Sequence, residues 1–207
     1  RLVGSGDVAY LFLVPGLPPA EPSGNAPALE TANAPFDPGG KRVAWNIERI
    51  GAPTLWALGH TGEGTVTALV DTRVALDHPD LAGHVWTNDD EAAGNGLDDD
   101  GNGYVDDRHG YDFSLSSPAT DGTSPAHGTF VAGIIAGDGT GGIVTGVAPR
   151  TRIMPLVAGG FVEVALALEY AIENGADVVN MSFSIPGEGN LRGAWRMMSD
   201  HAEAAGL

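Results

Sequence analysis

Two stretches and one loop hold side chains whose type and spacing could do chemistry. His127 opens the run His127-Gly128-Thr129-Phe130-Val131-Ala132-Gly133-Ile134-Ile135-Ala136-Gly137, in which Thr129 is the only other polar side chain. Gly128, Ala132, Gly133 and Ala136 leave little bulk on such a helix, so the run reads as a buried helix with an imidazole at its start. Imidazole changes charge near neutral pH and suits general base work, but one held at a core boundary needs a partner. The partner is expected at the end of another run, Thr65 to Val70, which is β-branched and apolar and stops at Asp71. That pattern is a buried strand with a carboxylate at its C-terminal tip, which is where sites form in an open α/β sheet. His78 competes with His127 for the catalytic role, but Pro79 directly after it restricts its backbone to extended or turn conformations. The bland alternative for His127 is a core histidine satisfied by hydrogen bonds.

The loop lies between them. From Gly94 to Asp107 the chain reads Gly-Asn-Gly-Leu-Asp-Asp-Asp-Gly-Asn-Gly-Tyr-Val-Asp-Asp. Like charges at that density repel without a counter-ion, and calcium is the natural one. With Asp98 as position one of an EF-hand loop, oxygen donors fall at Asp98, Asp100, Asn102 and Asp106, Gly103 takes the sharp turn, and the Tyr104 carbonyl is available. The template fails at position twelve, where His109 stands in place of a bidentate glutamate, and no helix pattern precedes the loop. Another oxygen must complete the shell, or the affinity suffers. The alternative is a solvated acidic loop.

Val66 to Leu81 (VTALVDTRVALDHPDL) and His127 to Gly137 (HGTFVAGIIAG) closely resemble the aspartate and histidine motifs of subtilisin-like serine proteases, in the same chain order. The resemblance implies an endopeptidase working by acyl transfer, in which Asp71 fixes the tautomer of His127 and His127 takes the proton from an attacking serine. It also implies that His78-Pro79-Asp80-Leu81 is structural. By the same resemblance, the backbone of Ser182, Phe183 and Ser184 pairs with an extended polypeptide substrate. The family's nucleophile sits in a G-T-S-M-A-like turn, and no such turn occurs before Leu207. The serine and the asparagine of the oxyanion hole are therefore expected on a C-terminal remainder of the catalytic domain, and the 207 residues alone are expected to be inactive. Four positions depart from the family pattern: Arg73, Ser184 and Ile185 replace usual glycines, and Phe130 replaces a second histidine that is not the base.

The elements that must position these residues form a doubly wound, mostly parallel α/β sheet with helices on both faces, incomplete at its C-terminus. Thr151 to Val157 reads as a strand, Phe161 to Glu173 as a helix with Val164, Leu168, Ala171 and Ile172 at helical spacing, and Asp177 to Phe183 as a strand. Such a βαβ unit demands a right-handed crossover. Pro53 to Leu58 reads as a short helix, and Leu191 to Ala205 as a last one that stops at Gly206. A buried strand follows here in the family, so an unpaired sheet edge is expected. Residues 1–40 comprise a single strand, Val8 to Val14, and a proline- and glycine-rich arm or linker, with the strand a potential propeptide remnant. Residues 41–207 form the N-terminal part of the catalytic domain.

Composition narrows the function further. A formal charge of −17 opposes binding to nucleic acid or anionic membrane and favours a cationic partner or metal. With no cysteine there is no disulfide framework and no thiol chemistry. No stretch approaches a membrane span and no signal peptide is legible at the N-terminus, so secretion is an expectation of the family resemblance, as is an inhibitory propeptide. Two readings compete with the protease: a peptide-binding module that no longer cuts, and a calcium-stabilised structural module.

Overall fold

Residue parity along two strands explains the architecture. In the computed structural model, which describes residues 35–119, 127–184 and 191–207, strand β2 (Val66–Asp71) pairs in parallel with β6 (Arg152–Val157) over its whole length. Ala68 and Val70 of β2 join Met154 and Leu156 of β6 in one core cluster, while Leu69 and Ile153 join a second. Side chains alternate across a strand, so two clusters of opposite parity mean a sheet buried on both faces. The first cluster is closed by helix α4 (Phe161–Glu173) through Val164, Ala167, Leu168 and Ala171; the second by helix α3 (His127–Ala136) through Ala132 and Ala136.

The main sheet has the order β4 (Ser117–Pro118), β3 (Tyr111–Asp112), β6, β2, β7 (Val178–Met181). All its pairings are parallel except β3 with β4. From β2 the chain passes beyond the place of β6 to β3 and β4, returns by α3 to β6, and goes on by α4 to β7 on the far side of β2. Helices α3 and α4 cover opposite faces of the sheet, one on each core cluster, which is the two-sided layering read from the sequence. The chain leaves β2 toward the α3 face, where Val74 and Leu81 pack, and leaves β6 toward the α4 face, so the two loops part beside Asp71 as at a topological switch point. The outer edge of β7 has no strand partner among the described residues.

Smaller elements complete the frame. Strand β1 (Arg42–Val43) pairs with β5 (Ile143–Val144), and helices α1 (Trp45–Arg49) and α2 (Ala52–Ala57) pack on that pair through Ile47, Ala52 and Trp56. Helix α5 (Arg192–Ala205) lies on α4, with Trp195 edge-on to Phe161 at 5.0 Å between ring centroids. At the start of α4, the Glu163 carboxylate accepts the N–H groups of Gly159 and Gly160 and so favours the positive end of the helix.

Several expectations are corrected. Helix α3 is half-buried, not buried, because Phe130 and Ile134 are 66% and 52% exposed on the same side as His127. Strand β7 stops at Met181, two residues before the predicted end. The predicted strand from Val8 to Val14 and the arm as far as residue 34 lie outside the described residues, as does Ile185.

Candidate active site

Asp71 ends β2 on the same side as Leu69, the α3 side, so strand parity aims its carboxylate at the helix that begins with His127. Its side chain is only 2% exposed, whereas that of His127 is 57% exposed. The imidazole Nδ1 lies 2.8 Å from Oδ1 and 3.0 Å from Oδ2 of Asp71. An ionised carboxylate only accepts, so Nδ1 carries the hydrogen, and Nε2 is left as a lone-pair base at the exposed edge of the ring. Asp71 Oδ1 also accepts the Thr72 N–H at 2.6 Å and the Thr72 hydroxyl at 3.2 Å. Gly128 allows α3 to come this close: a Cβ there would collide with the Thr72 carbonyl oxygen and lie 3.0 Å from that of Arg73. A buried carboxylate holding a half-exposed imidazole by Nδ1 is an arrangement suited to orienting a base.

Residues 62–206 match the model of the subtilase family, and this exceeds half of the chain. The chain belongs to the subtilase family. Among its relatives, the minor extracellular protease Vpr of Bacillus subtilis (strain 168) is 36% identical over 141 residues, covering 64% of this chain and 15% of Vpr. Subtilisin of Bacillus pumilus is 30% identical over 150 residues, covering 70% of this chain and 46% of the relative. In the crystal structure of fervidolysin from Fervidobacterium pennivorans, a keratinolytic enzyme related to subtilisin, the likeness has a TM-score of 0.54 at 28% identity, covering 79% of this chain and 23% of that one. The chain thus spans less than half the length of each of these proteins.

Elsewhere in this subtilase domain, Arg73 turns away from Asp71. Its Nε and Nη2 donate to Asp112 Oδ2 at 3.2 and 2.9 Å, and Asp112 is buried at the end of β3. His78 sits in its own turn, where Nδ1 accepts the Asp80 N–H at 3.2 Å, and Asp80 in turn accepts the N–H of Gly141. Ser182, Phe183 and Ser184 continue from β7 at the open edge of the sheet, Ser184 exposed and the other two half-buried. Ser182 Oγ accepts from the Asn180 amide at 2.9 Å.

The acidic loop gathers a different set from the EF-hand expectation. Asp98 spends its carboxylate on its own turn, accepting the N–H groups of Gly101, Asn102 and Gly103 at 2.8 to 3.0 Å. Asp106, at a left-handed φ of 55°, accepts those of Asn95 and Gly96. Both carboxylates organise backbone, as does that of Glu91, which accepts the N–H groups of Asp99 and Asp106, but Asp98 and Asp106 lie outside the group of carboxylates that converge. The Tyr104 ring packs edge-on against Tyr111, Phe113 and Tyr170. Burial holds its hydroxyl above the usual phenol range, helped by the negative charges of Glu173 and Glu169.

The carboxylates that do converge are Glu91, Asp100 and Asp107, each offering an oxygen within 4.8 Å of the others. Glu91 and Asp107 are fully buried, and the side-chain amides of Asn88 and Asn102 each reach both Asp100 and Asp107. The nearest guanidinium, that of Arg108, donates instead to the backbone carbonyls of Glu91 and Asn88. Three carboxylates flanked by amides form an all-oxygen set of the kind a hard cation takes. The EF-hand spacing covers Asp100 and Asn102 but not Glu91 and Asp107. Asp107 lay one residue beyond the chosen position in the same acidic run, and Glu91 lay outside the twelve-residue template.

Proposed function

We propose that this chain carries the aspartate and histidine of a serine endopeptidase, with Asp71 as orienter and His127 as general base. The observation that carries the reading is the Nδ1 contact of the half-exposed His127 side chain to buried Asp71 at 2.8 Å, in a chain of the subtilase family. The nucleophilic serine and the oxyanion donor are supplied by polypeptide beyond residues 1–207. Ser182, Ser184 and Ser199 are not candidates, since none sits in a glycine-flanked turn suited to a nucleophile and Ser199 lies within α5, its hydroxyl bonded to the Trp195 carbonyl. That remainder covers the exposed line of Phe130 and Ile134 beside His127, and a polypeptide substrate adds as a strand along Ser182 to Ser184.

Calcium is the cation that fits the acidic loop, held by Glu91, Asp100 and Asp107 and supplying charge neutralisation and rigidity, with no part in bond cleavage. Work outside the cell belongs to the same reading, supported by the likeness to the minor extracellular protease Vpr. Among the described residues, no helix is long and apolar enough to cross a membrane.

The deciding experiment compares the isolated 207-residue chain with the uninterrupted gene product, using an unfolded protein as substrate. The isolated chain should cleave nothing above background, because an orienter and a base without nucleophile or oxyanion donor leave the barrier high. The uninterrupted protein should cleave, take up a serine-directed covalent inhibitor, and lose activity in His127→Ala. Cleavage by the isolated chain would show the site to be misassigned; an uninterrupted protein that binds peptides but neither cleaves nor takes up the inhibitor would be a binding module.

A further inference from the structure

One hydroxyl touches both halves of the Asp71–His127 pair. Thr72 Oγ1 donates to Asp71 Oδ1 at 3.2 Å, and it accepts, at 2.8 Å, the N–H of Gly128, the residue directly after His127. The Thr72 backbone N–H reaches the same Oδ1 at 2.6 Å, and that oxygen lies 2.8 Å from His127 Nδ1. An oxygen with three donors around it has little freedom to rotate away from the imidazole. The hydroxyl also joins the tip of β2 to the first turn of α3, whose leading N–H groups have no partner within the helix.

Thr72 is itself held by the residue that follows it. Arg73 clamps both Nε and Nη2 onto Asp112 Oδ2, and Asp112 Oδ1 is occupied by the N–H and hydroxyl of Ser114 at 3.0 and 2.5 Å. Asp112 cannot follow a moving arginine, because it is buried between β6 and its own turn. On the other side, the Thr72 and Arg73 carbonyls lie directly under Gly128. The turn after Asp71 is therefore gripped from the β3 end and from α3 at once.

We propose that Thr72 is a positioning residue for the Asp71–His127 pair, and that the Arg73–Asp112 ion pair holds Thr72 in place. The proposal rests on the protease reading and deepens it. Arg73, which departs from the family's usual glycine, acquires a role in it: anchor of the turn, without contact to the reacting atoms.

The test uses the uninterrupted protein and the variants Thr72→Val, which keeps the shape without the hydroxyl, Thr72→Ser, which restores the hydroxyl, and Arg73→Gly. Thr72→Val should lower kcat about tenfold or more while leaving KM near its original value, as expected for loss of a hydrogen bond to a charged group that orients the base. Thr72→Ser should recover most of that loss. Arg73→Gly should lower kcat by a smaller factor in the same direction. The downfield Nδ1 proton resonance of His127 should exchange with water faster in Thr72→Val and Arg73→Gly than in Thr72→Ser. A purely structural role would lower the melting temperature and the titratable active fraction, with kcat per active site and the resonance unchanged; that result would overturn the proposal. If the uninterrupted protein cleaves nothing, the protease reading fails, and the Nδ1 resonance still decides whether Thr72 positions the pair.

Discussion

The Tyr170 hydroxyl donates to Asp107 Oδ2 at 2.6 Å, joining helix α4 to the acidic loop through two fully buried groups. Burial, reinforced by the Asp107 charge, holds the phenol far above its usual range, so it remains a donor. Asp107 in turn shares Asn88 and Asn102 with Asp100, which makes Tyr170 the link between the loop and the core face opposite His127. Edge-to-face contacts with Trp86 and Tyr104 fix the ring in that position.

Removing that donor should destabilise the domain. Tyr170→Phe keeps the ring and loses the bond to a charged acceptor, which is worth about 1.5 to 3 kcal/mol. A raised phenol pKa contributes stability that is present below the unfolded value and is lost as pH rises above it. The gap between wild type and Tyr170→Phe should therefore narrow above pH ~10, where unfolded tyrosine ionises. Chemical denaturation at neutral and alkaline pH measures both.

Calcium should raise the melting temperature, by an amount equivalent to about 2.7 kcal/mol at a hundredfold excess over Kd. Two acidic positions of the loop should respond differently. Asp107→Asn should remove the response, because Asp107 belongs to the converging set. Asp98→Asn should lower stability yet keep the response, because its oxygens hold the N–H groups of its own turn. Equal melting in chelator and in millimolar calcium would exclude the metal.

Gly128→Ala should be among the most damaging single substitutions. The added methyl meets the Thr72 carbonyl oxygen, which is backbone and cannot swing aside. Either α3 retreats and the imidazole leaves Asp71, or the turn after β2 distorts; overpacking of this kind costs about 1 to 3 kcal/mol. Activity of the uninterrupted protein should fall by more than the loss of folded fraction, as measured by active-site titration beside circular dichroism.

Asp138 should make the loop before β5 acid-sensitive. Burial pushes its carboxyl upward, but the Thr140 N–H and hydroxyl and the neighbouring His84, 3.4 Å away, outweigh this and hold it below the usual range. A depressed carboxyl contributes stability above its unfolded pKa and loses it as pH falls through the folded value. Asp138→Asn should thus cost about 0.5 to 1 kcal/mol at neutral pH and nothing in strong acid. Urea melts across that range would show the two curves converging.

The sequence by itself determined the long elements and the identity of the pair. A six-residue apolar run ending in a carboxylate and a thirteen-residue helix of regular apolar spacing carry their own periods, and β2, β6 and α4 formed where those periods lay. Asp71 and His127 were legible because their types and surroundings matched a known pair of motifs. Two-residue strands such as β3 and β4 have no period to read, and only the pairing of β3 with β6 and of β4 with β3 created them. Tertiary structure alone brought Asp71 and His127 together across 56 residues, exposed one side of α3, and sent Arg73 to Asp112. It also chose Glu91 and Asp107 over Asp98 and Asp106. In a loop, the backbone torsions and the nearest unpaired N–H decide where a carboxylate points, and neither is written in the spacing of the acidic residues.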